Sequence, residues 1–175
     1  KLELTSEYKE NYGFAVNNLM ICYYHIGDMD ETLKYAEYVK AYDRASDEEM
    51  ANAHLHAGRV YQSRGSVADA KRELNLAALK SQTVVGAEAR YLVGQLQFEA
   101  GELEPAMETA FDVINNMSGH DYWAARCFIL LADIYTAKGE SFQAKSTLES
   151  IIENYDGQDD IIPAARERLE QLNRQ

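Results

Sequence analysis

Proline, cysteine and tryptophan are scarce in this chain, at two, two and one residues in 175. With only two prolines and ten glycines the chain has few breakers, which together with 46% hydrophobic residues excludes a disordered segment. No apolar run, that around Phe128–Ala132 included, is long enough to span a bilayer. Basic residues are also in deficit, 17 against 29 acidic, for a net charge of −12. Such a surface repels phosphate backbones and anionic lipid, so nucleic acid and membranes are poor partners. The deficit is uneven: residues 51–100 hold six basic and four acidic side chains, a weakly basic middle between acidic flanks. Both cysteines, Cys22 and Cys127, lie in apolar helical stretches and are expected as buried free thiols, too far apart to pair. No secretory signal is visible, and a chain opening on Lys1 is read as an excised or processed fragment.

Catalytic constellations are missing as well. There is no phosphate-cradling glycine loop, nucleophile elbow or cysteine–histidine pair, and the scattered glutamates carry no acid–base signature. His54 and His56, two residues apart, fall on different sides of a helix and out of metal-ligand register. His25 and His120 adjoin turns. Asp156, Asp159 and Asp160 surround Gly157 without the spacing of a calcium loop. The expectation is no enzyme, no metal and no cofactor.

What is present is alanine, leucine, glutamate and lysine throughout, a helical composition, punctuated by four glycines. Gly27, Gly65, Gly101 and Gly139 are separated by 38, 36 and 38 residues. Each closes a long helical pattern and precedes a shorter one, as a left-handed C′ glycine does. Helix starts follow: Asp28 with Glu31, Ser66 and Ser141, and further on Ser46 with Glu49 and Asp160 before Pro163. Seven residues before each glycine stands Met20, Gly58, Gly94 or Ala132. Four before stands Tyr23, Tyr61, Gln97 or Tyr135, and five after Thr32, Ala70, Ala106 or Ala144. Small residues at matched points let antiparallel helices approach, with tyrosine filling the space beside them. Nine helices follow, at about 6–26, 29–42, 47–64, 67–80, 84–100, 103–115, 121–138, 141–154 and 161–173.

Gly58-Arg59-Val60-Tyr61 with Gly65, Ala70 and Ala77 resembles the signature of the tetratricopeptide repeat. Val93-Gly94, Gly101 and Ala106, then Ala132, Tyr135, Gly139 and Ala144, repeat it, and Leu19, Tyr23 and Gly27 give a degenerate first copy. The resemblance spans roughly residues 14–155. It departs in period, about 34 in the family, and in lacking both the early tryptophan and the closing proline. It implies an all-α, right-handed α-α superhelix, a solenoid of four hairpins plus a C-terminal capping helix. The repeats are expected at about 6–45, 46–82, 83–118 and 119–156, with the cap at 160–173, in a single domain of a longer protein. Lys1–Ser6 reads as the remnant of an earlier repeat. Endings such as Ser150-Ile-Ile-Glu-Asn-Tyr155 look like bacterial cell-envelope members, the TolA-binding and outer-membrane assembly lipoproteins. That implies the periplasm or envelope of a Gram-negative bacterium, with the cytoplasm as the alternative.

In the family, partners lie in a concave groove lined by the first helix of each repeat. Carried over, those positions are Asn17, Ile21 and Tyr24; Leu55, Arg59 and Gln62; Tyr91, Gln95 and Phe98; and Arg126, Ile129 and Asp133. Ile21, Leu55 and Ile129 can equally pack between helices. Only fragments of the lysine- and asparagine-rich clamp of chaperone-tail receptors are present. The resemblance thus implies a non-catalytic scaffold binding another protein or peptide. The alternatives are a structural spacer or self-associating segment forming a homo-oligomer, and the regulatory part of an enzyme whose catalytic domain is absent.

Overall fold

The computed structural model describes residues 6–117 and 119–174, with side chains from Asn11 onward. The expected remnant repeat at Lys1–Ser6 lies almost entirely outside the described residues. Among these are nine helices and no strand: α1 (Ser6–His25), α2 (Met29–Lys40), α3 (Asp47–Ser63), α4 (Val67–Lys80), α5 (Val84–Glu99), α6 (Leu103–Asn116), α7 (Asp121–Ala137), α8 (Ser141–Asn154) and α9 (Ile161–Asn173). The expected bounds hold to within two residues, the largest difference being α2, which ends at Lys40. The chain packs as two compact units, one up to Ala89 and the other from Arg90, so the division falls inside α5.

All four expected glycines have positive φ, between 73° and 83°. Each ends its helix in the same pair of hydrogen bonds. Gly27 N–H donates to the Tyr24 carbonyl and Asp28 N–H to Tyr23; the same holds for Gly65 and Ser66, Gly101 and Glu102, and Gly139 and Glu140. This is the Schellman closure. Its outer acceptors are the carbonyls of Tyr23, Tyr61, Gln97 and Tyr135, so the recurring position four before each glycine is the one that receives the turn. A fifth positive-φ glycine, Gly119, lies outside the repeat phase.

The next helix starts at once, with the residue after the glycine as N-cap. Asp28 Oδ1 accepts from Glu31 N, and Ser46 with Glu49 forms the complete reciprocal box, both as expected. Ser66 occupies the N-cap of α4 without a side-chain bond, which nothing in the structure explains. Ser141 is one position too late: Glu140 is the N-cap and Ser141 already belongs to α8. At α9 the capping acceptor is Asp159, whose Oδ1 takes the Ile161 N–H, because Asp160 is drawn away to Arg126 and Tyr122.

In the first unit α1 packs on α2 and α3, and α3 on α4. Val16, Met20, Ala36, Val39, Ala53 and Ala57 form its core, with Tyr35 and Tyr61 against them. In the second unit α7 packs on α6, α8 and α9. Ala125, Ile129, Ala132, Leu148, Ile151, Ile161 and Ala165 form a core there, so α9 closes its apolar face on α7 and α8 as a cap should. Cys127 is buried as expected, which lifts its thiol to about 12. Cys22 is not: it is exposed, on the side of α1 away from Val16 and Met20.

The closest crossing is at Gly58, where a Cβ would stand 2.7 Å from Leu74 Cγ and 3.3 Å from Leu74 N. At Gly94 the nearest atom is a methyl of Leu130 at 3.1 Å, the free end of a side chain. Gly58→Ala is therefore expected to destabilise by about 1–3 kcal/mol and Gly58→Leu by more. Gly94→Ala is expected to change stability by less than about 1 kcal/mol, since its helix-propensity gain offsets the crowding. Denaturant melts of the three variants check the order.

Candidate protein-binding faces

The predicted positions fall on two faces, one in each unit. On the first, Asn17 and Tyr24 come from α1 and Arg59 and Gln62 from α3, all partly exposed. Of the two readings open to Leu55 and Ile21 the structure takes packing: Leu55 is 2% exposed, and Ile21 lies against the core of the unit. The Arg59 guanidinium carbon lies 5.2 Å from the Tyr24 ring centroid and pairs with Glu88 at the start of α5. His56 meets the same tyrosine edge-on at 5.1 Å. Asn17 Oδ1 is buried with no hydrogen-bond partner among the described residues.

His56 is itself buried, its Nδ1 2.8 Å from the Asn52 carbonyl. A carbonyl only accepts, so Nδ1 carries the proton. Burial, with Arg59 and His25 nearby, outweighs that hydrogen bond and pushes the imidazole down to about 4. Behind this face a second buried group joins three helices: Glu73 Oε2 of α4 lies 2.8 Å from both Lys40 Nζ of α2 and His54 Nδ1 of α3. Burial alone would raise the Glu73 carboxyl, but the hydrogen bonds from His54 and Lys40 prevail and hold it at about 2. The two histidines are thus packed on different partners, and among the described residues no three His, Cys, Asp or Glu side chains converge as metal ligands.

On the second face, Tyr91, Gln95 and Phe98 of α5 meet Arg126, Ile129 and Asp133 of α7 around one recess of about 220 Å³, closed by Ala164 and Arg168 of α9. Tyr91 and Ile129 are each 5% exposed and form its floor: Ile129 packs between helices, one of the two readings open to it, whereas Tyr91 does not face a partner openly as the resemblance implied. Arg126 donates to Tyr91 Oη from Nε and Nη2, at 3.1 and 2.9 Å, and to Asp160 Oδ2 from Nη1 at 2.8 Å. Arg168 Nε reaches both oxygens of Asp133, at 2.9 and 3.0 Å. Burial raises Asp133 above the usual carboxylate range in spite of that guanidinium. The expected charged groups are therefore already paired within the unit. Gln95 and Phe98 remain partly exposed at the rim.

His56, Glu88, Trp123, Asp160 and Arg168 belong to these faces, where sequence alone did not place them: His56 was considered only as a metal ligand and Asp160 only as a helix cap or calcium ligand. The signal was spacing: Arg126 and Tyr91 are 35 residues apart, Arg126 and Asp160 34, and Arg168 and Asp133 35, one repeat each time. Searching for opposite charges about one repeat apart finds the Arg126–Asp160 and Arg168–Asp133 pairs. Trp123, 5.4 Å from the Tyr91 ring, stands near the start of a first helix, close to where the family's tryptophan was noted as missing.

Residues 122–157 match the family model of the tetratricopeptide repeat. No curated protein matches the chain. The structure is similar to a solved one described as the crystal structure of MamA protein, with a TM-score of 0.65 and 20% identity over 93% of this chain and 86% of that one. That likeness shows the fold, an all-α helical solenoid of the tetratricopeptide type. Among the described residues no helix is long and apolar enough to cross a membrane.

The low affinity of His56 for protons has a consequence with a definite sign. Between its ordinary value of 6.5 and its folded value of about 4, the unfolded chain binds a proton that the folded chain refuses. Stability from this group is therefore complete above pH 6.5 and falls as pH drops through that window, by about 3 kcal/mol in all. His56→Leu is expected to flatten this part of the stability–pH curve. Urea midpoints measured from pH 7 to pH 4 for both proteins check it; parallel curves contradict it.

Proposed function

We propose that the chain is a non-catalytic scaffold that binds another protein through the exposed faces of its first helices. The observation that carries the reading is the composition of those faces once internal pairs are set aside. Arg59, Arg126 and Asp133 each have an ionic partner within their own unit. What remains at the surface is Asn17, Tyr24 and Gln62 on one unit and Gln95 and Phe98 on the other: amides beside aromatic rings. Rings supply rigid contact area and amides supply both donors and acceptors, a combination suited to a peptide backbone.

The tetratricopeptide match at 122–157 and the solenoid fold support a binding role at the level of fold. The resemblance to envelope lipoproteins supports a periplasmic or envelope location.

The test is a photo-reactive amino acid placed in the source cells at Gln62 or Phe98, and at Phe142, an 82% exposed control on α8. A covalent adduct with the same protein from positions 62 and 98, and none from 142, is the expected outcome. Adducts from 142 alone would move binding to another surface and contradict the proposal.

A further inference from the structure

Between α7 and α8 lies another recess, of about 480 Å³, larger than the one floored by Tyr91. It opens about 120° around α7 from Arg126, Ile129 and Asp133, on the side that carries Asp121, Ala124 and Phe128. Both α6 and α9 pack on α7, yet neither lines this recess, so the helices before and after the hairpin leave it open. Its floor is apolar: Ala125 and Ile151 are 5% and 6% exposed, and Phe128 adds a ring at 37%. Its charge is of one sign. No Lys, Arg or His lines it, whereas Asp121 and Asp156 do, at the end where α7 starts and α8 has stopped. Neither aspartate has an ionic or hydrogen-bond partner among the described residues. In the recess under Arg126, by contrast, both arginines and both aspartates are paired. Asp121 has a local reason to be there, since a carboxylate in the first turn offsets the positive end of a helix. Asp156 has none. It follows the extended C-cap Tyr155 of α8, where the helix dipole is already negative, and its charge costs stability in the free chain.

We propose that this groove docks a basic segment of another protein, with a Lys or Arg side chain at Asp121 and Asp156 and a large apolar side chain against Phe128. The two ends fit one short peptide. Asp121 and Phe128 are seven helical residues apart, about 10 Å along α7, which is the length of about three residues of extended chain. Charge selects the occupant. A cation gains from two unpaired carboxylates, from the negative end of α8 and from the Tyr155 ring that lines the same end. A second copy of the chain, at −12, or an acidic peptide is repelled there. The groove is separate from the faces bearing Gln62 and Phe98, and Phe142 lies outside it at the start of α8. Its test and that of the binding proposal therefore succeed or fail independently.

The experiment selects short random peptides displayed on phage against the purified chain, with counter-selection on the double variant Asp121→Asn, Asp156→Asn. Counter-selection keeps only peptides that depend on the two aspartates. The survivors are expected to carry Lys or Arg two to four positions from Leu, Ile, Phe or Trp. Titrated as synthetic peptides, they are expected to bind the double variant about tenfold more weakly or worse, to lose affinity for Phe128→Ala as well, and to weaken as salt is added. Asp156→Asn alone is expected to leave the melting temperature unchanged or slightly raised, which separates loss of binding from loss of fold. Survivors without a basic residue, or an affinity that Phe128→Ala leaves intact, overturn the proposal. So does a selection in which no peptide survives.

Discussion

The organisation of this chain depends on how each first helix stops. A left-handed glycine turns the backbone back within two residues, and the turn is fastened by hydrogen bonds to the carbonyls three and four positions before that glycine. The same closure at Gly27, Gly65, Gly101 and Gly139 sets the same phase for every second helix. Only with that phase fixed can Thr32, Ala70, Ala106 and Ala144, all fully buried, meet the first helix of their own hairpin. Gly58 against Leu74 is the tightest result of that approach. The packing of each hairpin is thus a consequence of its turn.

Much of this was legible in the residues. Glycine is the residue that adopts positive φ without strain, so four glycines at nearly equal intervals announced both the helix ends and the repeat. The small residues around them gave the crossing points, and capping residues gave most of the starts. Asp160 shows where that reasoning stops. An aspartate just before a helix is a sound capping candidate, but Asp159 stands beside it, and Arg126, thirty-four residues earlier, draws Asp160 away. A local rule cannot choose between neighbours when a distant charge decides.

The candidate faces were legible to the same depth. The resemblance to the repeat family placed Tyr91, Gln95, Phe98, Arg126, Ile129 and Asp133 on the groove side of their helices, and the structure does gather them around one recess. Position within a repeat says nothing of how far the next repeat covers a face. Tyr91 is buried under Arg126 and Trp123, and Asp133 is held by an arginine from the cap. Charged residues that looked available for a partner hold successive repeats together. The same gap explains Cys22, whose apolar neighbours suggested burial although its own side of α1 is open.

The central claim is that the left-handed turn at each repeat glycine sets the phase of the fold. The most direct measurement replaces Gly65, at φ +73°, by D-alanine and by L-alanine in semisynthetic protein. No atom lies within 4 Å of an L-configured Cβ at this position, so a loss with L-alanine reads backbone handedness and not crowding. D-alanine should leave stability unchanged or raise it, and L-alanine should lower it by about 1–2 kcal/mol. Equal effects from the two, or a greater loss with D-alanine, would mean that the helix does not end in a left-handed turn at Gly65 and would contradict the repeat phase.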